Sequence, residues 1–138
     1  MSIKKQGIAF VILFVLTAIG NFVIHGMLLQ PAYKESANLM RGEQDAGTHM
    51  MFLMVGFFFF CLGMVWIYAQ MKQTGSWLAD GIRYAIAVWL IATVSRYSIY
   101  YAIQPWPSST VWMQIGYELV LTLILGVVIG FMMREKAA

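Results

Sequence analysis

Residues 50–71 read MMFLMVGFFFFCLGMVWIYAQM, twenty-two consecutive positions without a charged side chain. A helix of that length crosses the roughly 30 Å hydrocarbon core of a bilayer, whereas a helix on a soluble domain of this size needs a polar face. Three further segments meet the same test, at 7–29, 82–103 and 111–133. The chain of 138 residues is 61% hydrophobic and 11% charged, far from the roughly one-quarter charged share of a soluble domain. Its mean hydropathy is +0.73. The expected fold is therefore all-α: one integral membrane domain over 1–138, a four-helix up-down-up-down bundle. The first segment follows Lys4 and Lys5 as a signal peptide would. It is too long and lacks a small-x-small cleavage site, so it is expected to be retained as a helix.

Basic residues set the orientation. Lys4, Lys5, Lys72, Arg83, Arg134 and Lys136 fall on one side of this arrangement, and only Lys34 and Arg41 fall in loops on the other. The positive-inside rule places both termini in the cytoplasm. The net charge of +3 is thus a topology signal and not a nucleic-acid footprint. Cys61 is the single cysteine, which excludes an internal disulfide.

Local chemistry marks the turns. Gly75 ends the second span, Ser76 caps the third, and PWPSST at 105–110 breaks the chain with hydroxyls ready to cap the fourth. Trp77, Trp106 and Trp112 stand at expected membrane interfaces. In the outer loop, PAYKESANLMR at 31–41 reads as a short surface helix with Pro31 in its first turn. An offset of 74 residues aligns Gly7 and Ile8 with Gly81 and Ile82, and Gln30 and Pro31 with Gln104 and Pro105. Leu62 and Gly63 likewise match Leu125 and Gly126. Two related helical hairpins would leave such an echo.

Polar groups in hydrocarbon are costly and mark candidate sites. Arg96 lies eight residues before Gln104 and Glu118 eight after Thr110, so the two face each other at one depth and form an expected ion pair. His25 and His49 flank the outer loop at a similar depth. Asn21 with His25, Arg96 with Tyr100, and Gln114 with Glu118 are each four apart and share helix faces. Asn21, His25, His49, Arg96, Tyr100, Gln114 and Glu118 thus form a candidate polar cluster or ligand-binding pocket in the outer leaflet. The alternative is structural: an Arg96–Glu118 pair fixing the register of two helices. No metal site and no cofactor are expected, with haem bridged by His25 and His49 the one option two facing histidines allow. Gly126 and Gly130 form a small-xxx-small motif that serves either the bundle interior or an oligomer interface.

HGMLL at 25–29 followed by PAY at 31–33, IYYAIQP at 99–105, and a closing helix with Gly126 give the chain a resemblance. It resembles small four-helix inner-membrane proteins of bacteria grouped under domains of unknown function. That resemblance implies a multi-pass protein of a bacterial inner membrane and assigns no activity. No nucleophile, base and orienter stand together, so an enzyme is not the first expectation. The first expectation is a non-enzymatic accessory, stabilising or assembly subunit of a larger membrane complex, touching lipid and other subunits or copies of itself. The second is small-ligand binding or transport through the outer polar pocket.

Overall fold

The computed structural model describes residues 2–134, and Lys136 of the orientation argument lies outside them. Among these residues every regular element is helical, and four helices are long and apolar enough to cross a membrane: Ile3–Leu28, Met50–Gln70, Trp77–Ile103 and Ser108–Met133. The first comprises α1 (Ile3–Asn21) and a π-helical segment, Phe22–Leu28. It starts four residues before the expected Gly7 because the Ser2 side chain caps it, accepting from the Lys5 N–H at 3.3 Å. The expected loop helix is divided. It becomes α2 (Gln30–Glu35), with Pro31 in its first turn, and a 3₁₀ turn at Ala37–Leu39. A further short helix, α3 (Glu43–Thr48), precedes α4 (Met50–Gln70).

Gly75, at φ +96°, turns the chain between the second and third long helices. The third helix begins at Trp77, not at Ile82, because Ser76 accepts from the Ala79 N–H at 3.4 Å and sets the first turn there. It comprises α5 (Trp77–Trp89), a second π-helical segment at Leu90–Val94, and α6 (Ser95–Ile103). The fourth, α7 (Ser108–Met133), starts directly after Pro107, so the expected caps Ser108, Ser109 and Thr110 lie within its first turn.

α7 is the spine of the assembly: α5 packs along it most extensively, and α1 packs on both α7 and α4. Contacts between the third helix and α7 run in opposite chain order, from Gly81 against Gly126 to Arg96 against Glu118, so the pair is antiparallel. Lys5 Nζ donates to the Arg134 carbonyl at 2.7 Å and Gln73 Nε2 to the Met133 carbonyl at 3.0 Å. These bonds gather the start of α1, the turn after α4 and the end of α7 at one end, here the basic end. The other, with α2 and α3, is the loop end.

Near the basic end the core is tight. A Cβ added to Gly81 would fall on the Gly126 carbonyl oxygen, and one on Gly130 would fall on the Trp77 carbonyl oxygen. Gly126 and Gly130 therefore serve the interior of this chain, letting two backbones touch. Ala9, Leu13, Met64, Tyr68, Tyr84, Leu125 and Ile129 fill the rest of this core. Large apolar side chains also face outward, among them Met51, Phe52, Ile91 and Trp112, all more than two-thirds exposed. The echo between the first and third helices extends to a π-helical segment in each. The two are not equivalent, since the 74-residue offset lays Phe22 on Arg96, beyond the second π segment.

Candidate functional site

Gln114, Glu118, Thr122 and Leu125 follow one another along α7 at three- and four-residue spacing, which places them on one face. The Glu118 side chain is only 12% exposed. A buried carboxylate requires partners, and neighbouring helices supply them. Its Oε1 accepts from His25 Nε2 at 3.2 Å, Arg96 Nη2 at 3.2 Å and Tyr97 Oη at 3.1 Å. Its Oε2 accepts from Thr93 Oγ1 at 3.3 Å. A carboxylate offers about four lone-pair sites, and four donors converge on this one, three of them sharing Oε1. The expected Arg96–Glu118 pair is present within a larger set. Arg96 also lies over the Tyr97 ring, 4.9 Å from its centre.

A second chain of bonds leads outward from the carboxylate. With Nε2 bonded to Glu118, Nδ1 on the other side of the His25 ring shares a hydrogen bond with the Tyr33 hydroxyl at 2.5 Å. That hydroxyl in turn accepts from Gln114 Nε2 at 3.0 Å. Burial pushes the Tyr33 phenol above its ordinary value of 10.0, which keeps it a donor. Gln114, Tyr33, His25 and Glu118 thus form one connected hydrogen-bond chain, each link polarising the next. The stack of His25 on Tyr33, with planes 2° apart, and the edge of Trp106 on Tyr33 lock the rings.

Both π-helical segments among the described residues border this carboxylate: one carries His25, the other Thr93. The first is documented by the Leu29 N–H reaching the Ile24 carbonyl at 2.8 Å, one residue further back than an α-helix allows. Each such insertion rotates the remainder of its helix by about 100°, one residue's share of a turn. π-Helical turns are rare and concentrate at functional sites. Here they turn His25 and the Arg96–Tyr97 pair onto Glu118.

The group borders an open cavity of about 420 Å³ at the loop end, within the size range of small-molecule sites, roughly 300–1,000 Å³. Asn21, His25, Arg96, Tyr100, Gln114 and Glu118 all line it. His49 does not join them. It stands just before α4 at the surface, bonded to Asp45 and stacked on Phe52, and lines a separate shallow concavity with Met40 and Arg41. Among the described residues no three His, Cys, Asp or Glu side chains gather as metal ligands would.

Tyr33 and Thr93 complete the site without standing out in the sequence. The signal for Thr93 is its spacing: Thr93, Arg96, Tyr97 and Tyr100 form a helical stripe. Tyr33 depends on the bend at Leu29, which no periodicity shows. The basic end also holds a buried acid at a position the hydropathy pattern leaves in a loop. Asp80, in the first turn of α5, accepts from the Thr74 N–H at 2.8 Å and its hydroxyl at 2.7 Å, and so ties the preceding turn to the helix. Comparison with family models, curated proteins and solved structures finds no match.

Proposed function

We propose that this chain is a multi-pass membrane protein that binds a small ligand in the loop-end cavity. The observation that carries this reading is the convergence of His25, Thr93, Arg96 and Tyr97 on one carboxylate at the wall of an open cavity, with a rare π-helical turn aiming each contributing helix. A structural ion pair needs one partner. It does not need two backbone irregularities and an empty space beside it.

In this reading the four long helices cross the bilayer up-down-up-down. Lys4, Lys5, Lys72, Arg83 and Arg134 hold the basic end in the cytoplasm, and the cavity opens in the outer leaflet. The exposed Met51, Phe52 and Ile91 then meet lipid. The resemblance to small four-helix inner-membrane proteins of bacteria supports the bacterial inner membrane as the location. Arg96 holds the ligand, Glu118 fixes Arg96 and His25, and Asn21 and Tyr100 shape the pocket.

Native mass spectrometry of protein extracted gently from its own membranes tests this. A bound small molecule that disappears in Arg96→Ala, with helix content unchanged, is the expected result. Loss of folding in Arg96→Ala and Glu118→Gln alike would return the cluster to a structural role. An absorption spectrum of the same sample addresses haem: a Soret band would require His25 to give up Tyr33 or Glu118.

The accessory-subunit reading has its own support in the sparse mass outside the helices and in apolar side chains exposed on α1, α4 and the third helix. Blue-native electrophoresis after mild extraction separates the two. A larger complex favours the subunit, and a lone monomer retaining its ligand favours the binding protein.

A further inference from the structure

The cavity at the loop end does not stop at its polar floor. Asn21, Leu53, Phe57, Arg96 and Glu118 line both it and a second space of about 230 Å³ that continues toward the middle of the helices. This lower space is walled by Phe60, Ala92, Leu121 and Leu125 together with Thr17, Thr93 and Thr122, whose hydroxyls are taken up by Cys61, the Glu118 carboxylate and the Glu118 carbonyl. It exists because α4 packs chiefly on α1, leaving its outer half apart from the third helix. Phe52 and Leu53 of α4 and Ala92 of the third helix line the slot, and Phe52 is 73% exposed, so the slot reaches the outer surface of the helices on this side. In a bilayer that opening faces lipid chains, not water.

The two spaces demand opposite chemistries from one occupant. Above, Arg96 uses one of its five N–H groups on Glu118, and the rest have no hydrogen-bond partner among the described residues. Tyr100 adds a hydroxyl to the same wall. Those donors call for acceptor oxygens. The charges of Arg96 and Glu118 cancel, so an anionic head would leave an unbalanced charge beside a carboxylate that is only 12% exposed. Below, the threonine hydroxyls are bonded within the protein and the rest of the added wall is aromatic and aliphatic, which suits a hydrocarbon chain.

We infer that the ligand is an uncharged amphiphile of the bilayer, with a carbonyl- or hydroxyl-bearing head against Arg96 and a single hydrocarbon chain in the slot, reached sideways between α4 and the third helix. This rests on the proposed binding role and specifies its ligand class and route.

Gly56 makes the test separable. It lines the slot, and a Cβ added there meets nothing within 4 Å, so Gly56→Leu narrows the slot without disturbing the core or Glu118. The full-length protein in phosphatidylcholine nanodiscs is titrated with three probes: an alkyl-tailed benzoquinone, the same benzoquinone without its tail, and an alkyl phosphate with the same tail. Binding is read by quenching of Trp106 and by native mass spectrometry. The tailed quinone is expected to bind one per chain. Its affinity should drop at least tenfold in both Gly56→Leu and Arg96→Ala, and the alkyl phosphate should bind at least tenfold more weakly. The tailless head should be indifferent to Gly56→Leu. Tailed-quinone binding unaffected by Gly56→Leu would overturn the slot and leave the pocket standing. Preference for the phosphate would overturn the uncharged head. Absence of any Arg96-dependent binding would remove the pocket itself.

Discussion

The third long helix meets α7 twice, and the two meetings are opposites. Near the basic end Gly81, Gly126 and Gly130 strip the interface to backbone, and the helices touch. Toward the loop end Trp89, Arg96 and Tyr97 stand between the same two helices, with Trp89 Nε1 bonded to the Ile115 carbonyl at 3.0 Å and the charges collected on Glu118. One helix pair is thus closed at one end and wedged open at the other, and the π-helical segment at Leu90–Val94 lies at the transition. Small residues fix a single arrangement because nothing there can rotate. Long polar side chains hold a space whose shape depends on keeping every bond. Stability is concentrated in the first region and recognition in the second.

The sharpest way to break that contrast is at the closed end. Gly81→Leu drives a side chain into the Gly126 backbone, where no rotamer relieves the clash. Overpacking of this kind costs about 3 kcal/mol or more when backbone must move. Reversible unfolding in mixed micelles should show that loss, whereas Gly116→Ala, with nothing within 4 Å of the added Cβ, should stay within about 0.5 kcal/mol of the parent. Equal effects at the two glycines would deny the closed end its special role.

Glu118→Ala is the matching experiment at the open end. It removes the acceptor shared by His25, Thr93, Arg96 and Tyr97, leaving buried donors unsatisfied at a cost of about 1–3 kcal/mol. The location of the damage matters more than its size. Hydrogen exchange should rise in α6 and in both π-helical segments while α5 near Gly81 keeps its protection. Uniform loss along the third helix would mean that the two ends are one cooperative unit.

This contrast was unevenly legible in the chain itself. Runs of apolar residues long enough to span hydrocarbon require helices whatever their partners, so the four long elements could be read directly, with Ser2 and Ser76 shifting two starts by a few residues. Depth was also legible: Arg96 and Glu118 meet because equal distance from a shared turn fixes equal height. Rotation was not. Thr93, Arg96, Tyr97 and Tyr100 share a helical stripe, but a π-helical insertion leaves no residue signature and turns every later side chain by about 100°, so which neighbour that stripe meets lay beyond periodicity. Tyr33 was hidden for a related reason, since it joins the cavity wall only through the bend at Leu29. His49 illustrates the reverse: its depth matched, but its bonds to Asp45 hold it at the surface.

A finer probe of the open end is Tyr33→Phe, which cuts the link between Gln114 and His25 and leaves the ring in place. Interhelical hydrogen bonds of this kind average about 0.6 kcal/mol in membranes, and a loss of that order is expected. The pH dependence supplies an independent sign. Burial raises the folded-state pKa of Tyr33 above the unfolded value of 10.0, so its contribution is present below pH 10.0 and is lost as pH rises through the higher folded value. Stability of the parent should therefore fall more steeply above pH 10.0 than that of Tyr33→Phe. Parallel curves would show that the Tyr33 phenol is not buried as described.

The smallest effect is expected where the sequence placed a partner and the fold did not. His25 and His49 are the two histidines of the chain. His25 is held on both ring nitrogens inside the cavity wall, and His49 on Asp45 outside it. Substituting His49 by Ala removes only an exposed local ion pair and a ring contact with Phe52, worth at most about 0.5 kcal/mol. Ligand affinity should be unchanged. His25→Ala, in contrast, takes from Tyr33 its partner and from Glu118 one of its four donors, and should weaken binding at least tenfold. If His49→Ala matched it, the ligand would have to span both concavities, and the site would extend beyond the cavity at Glu118 to the start of α4.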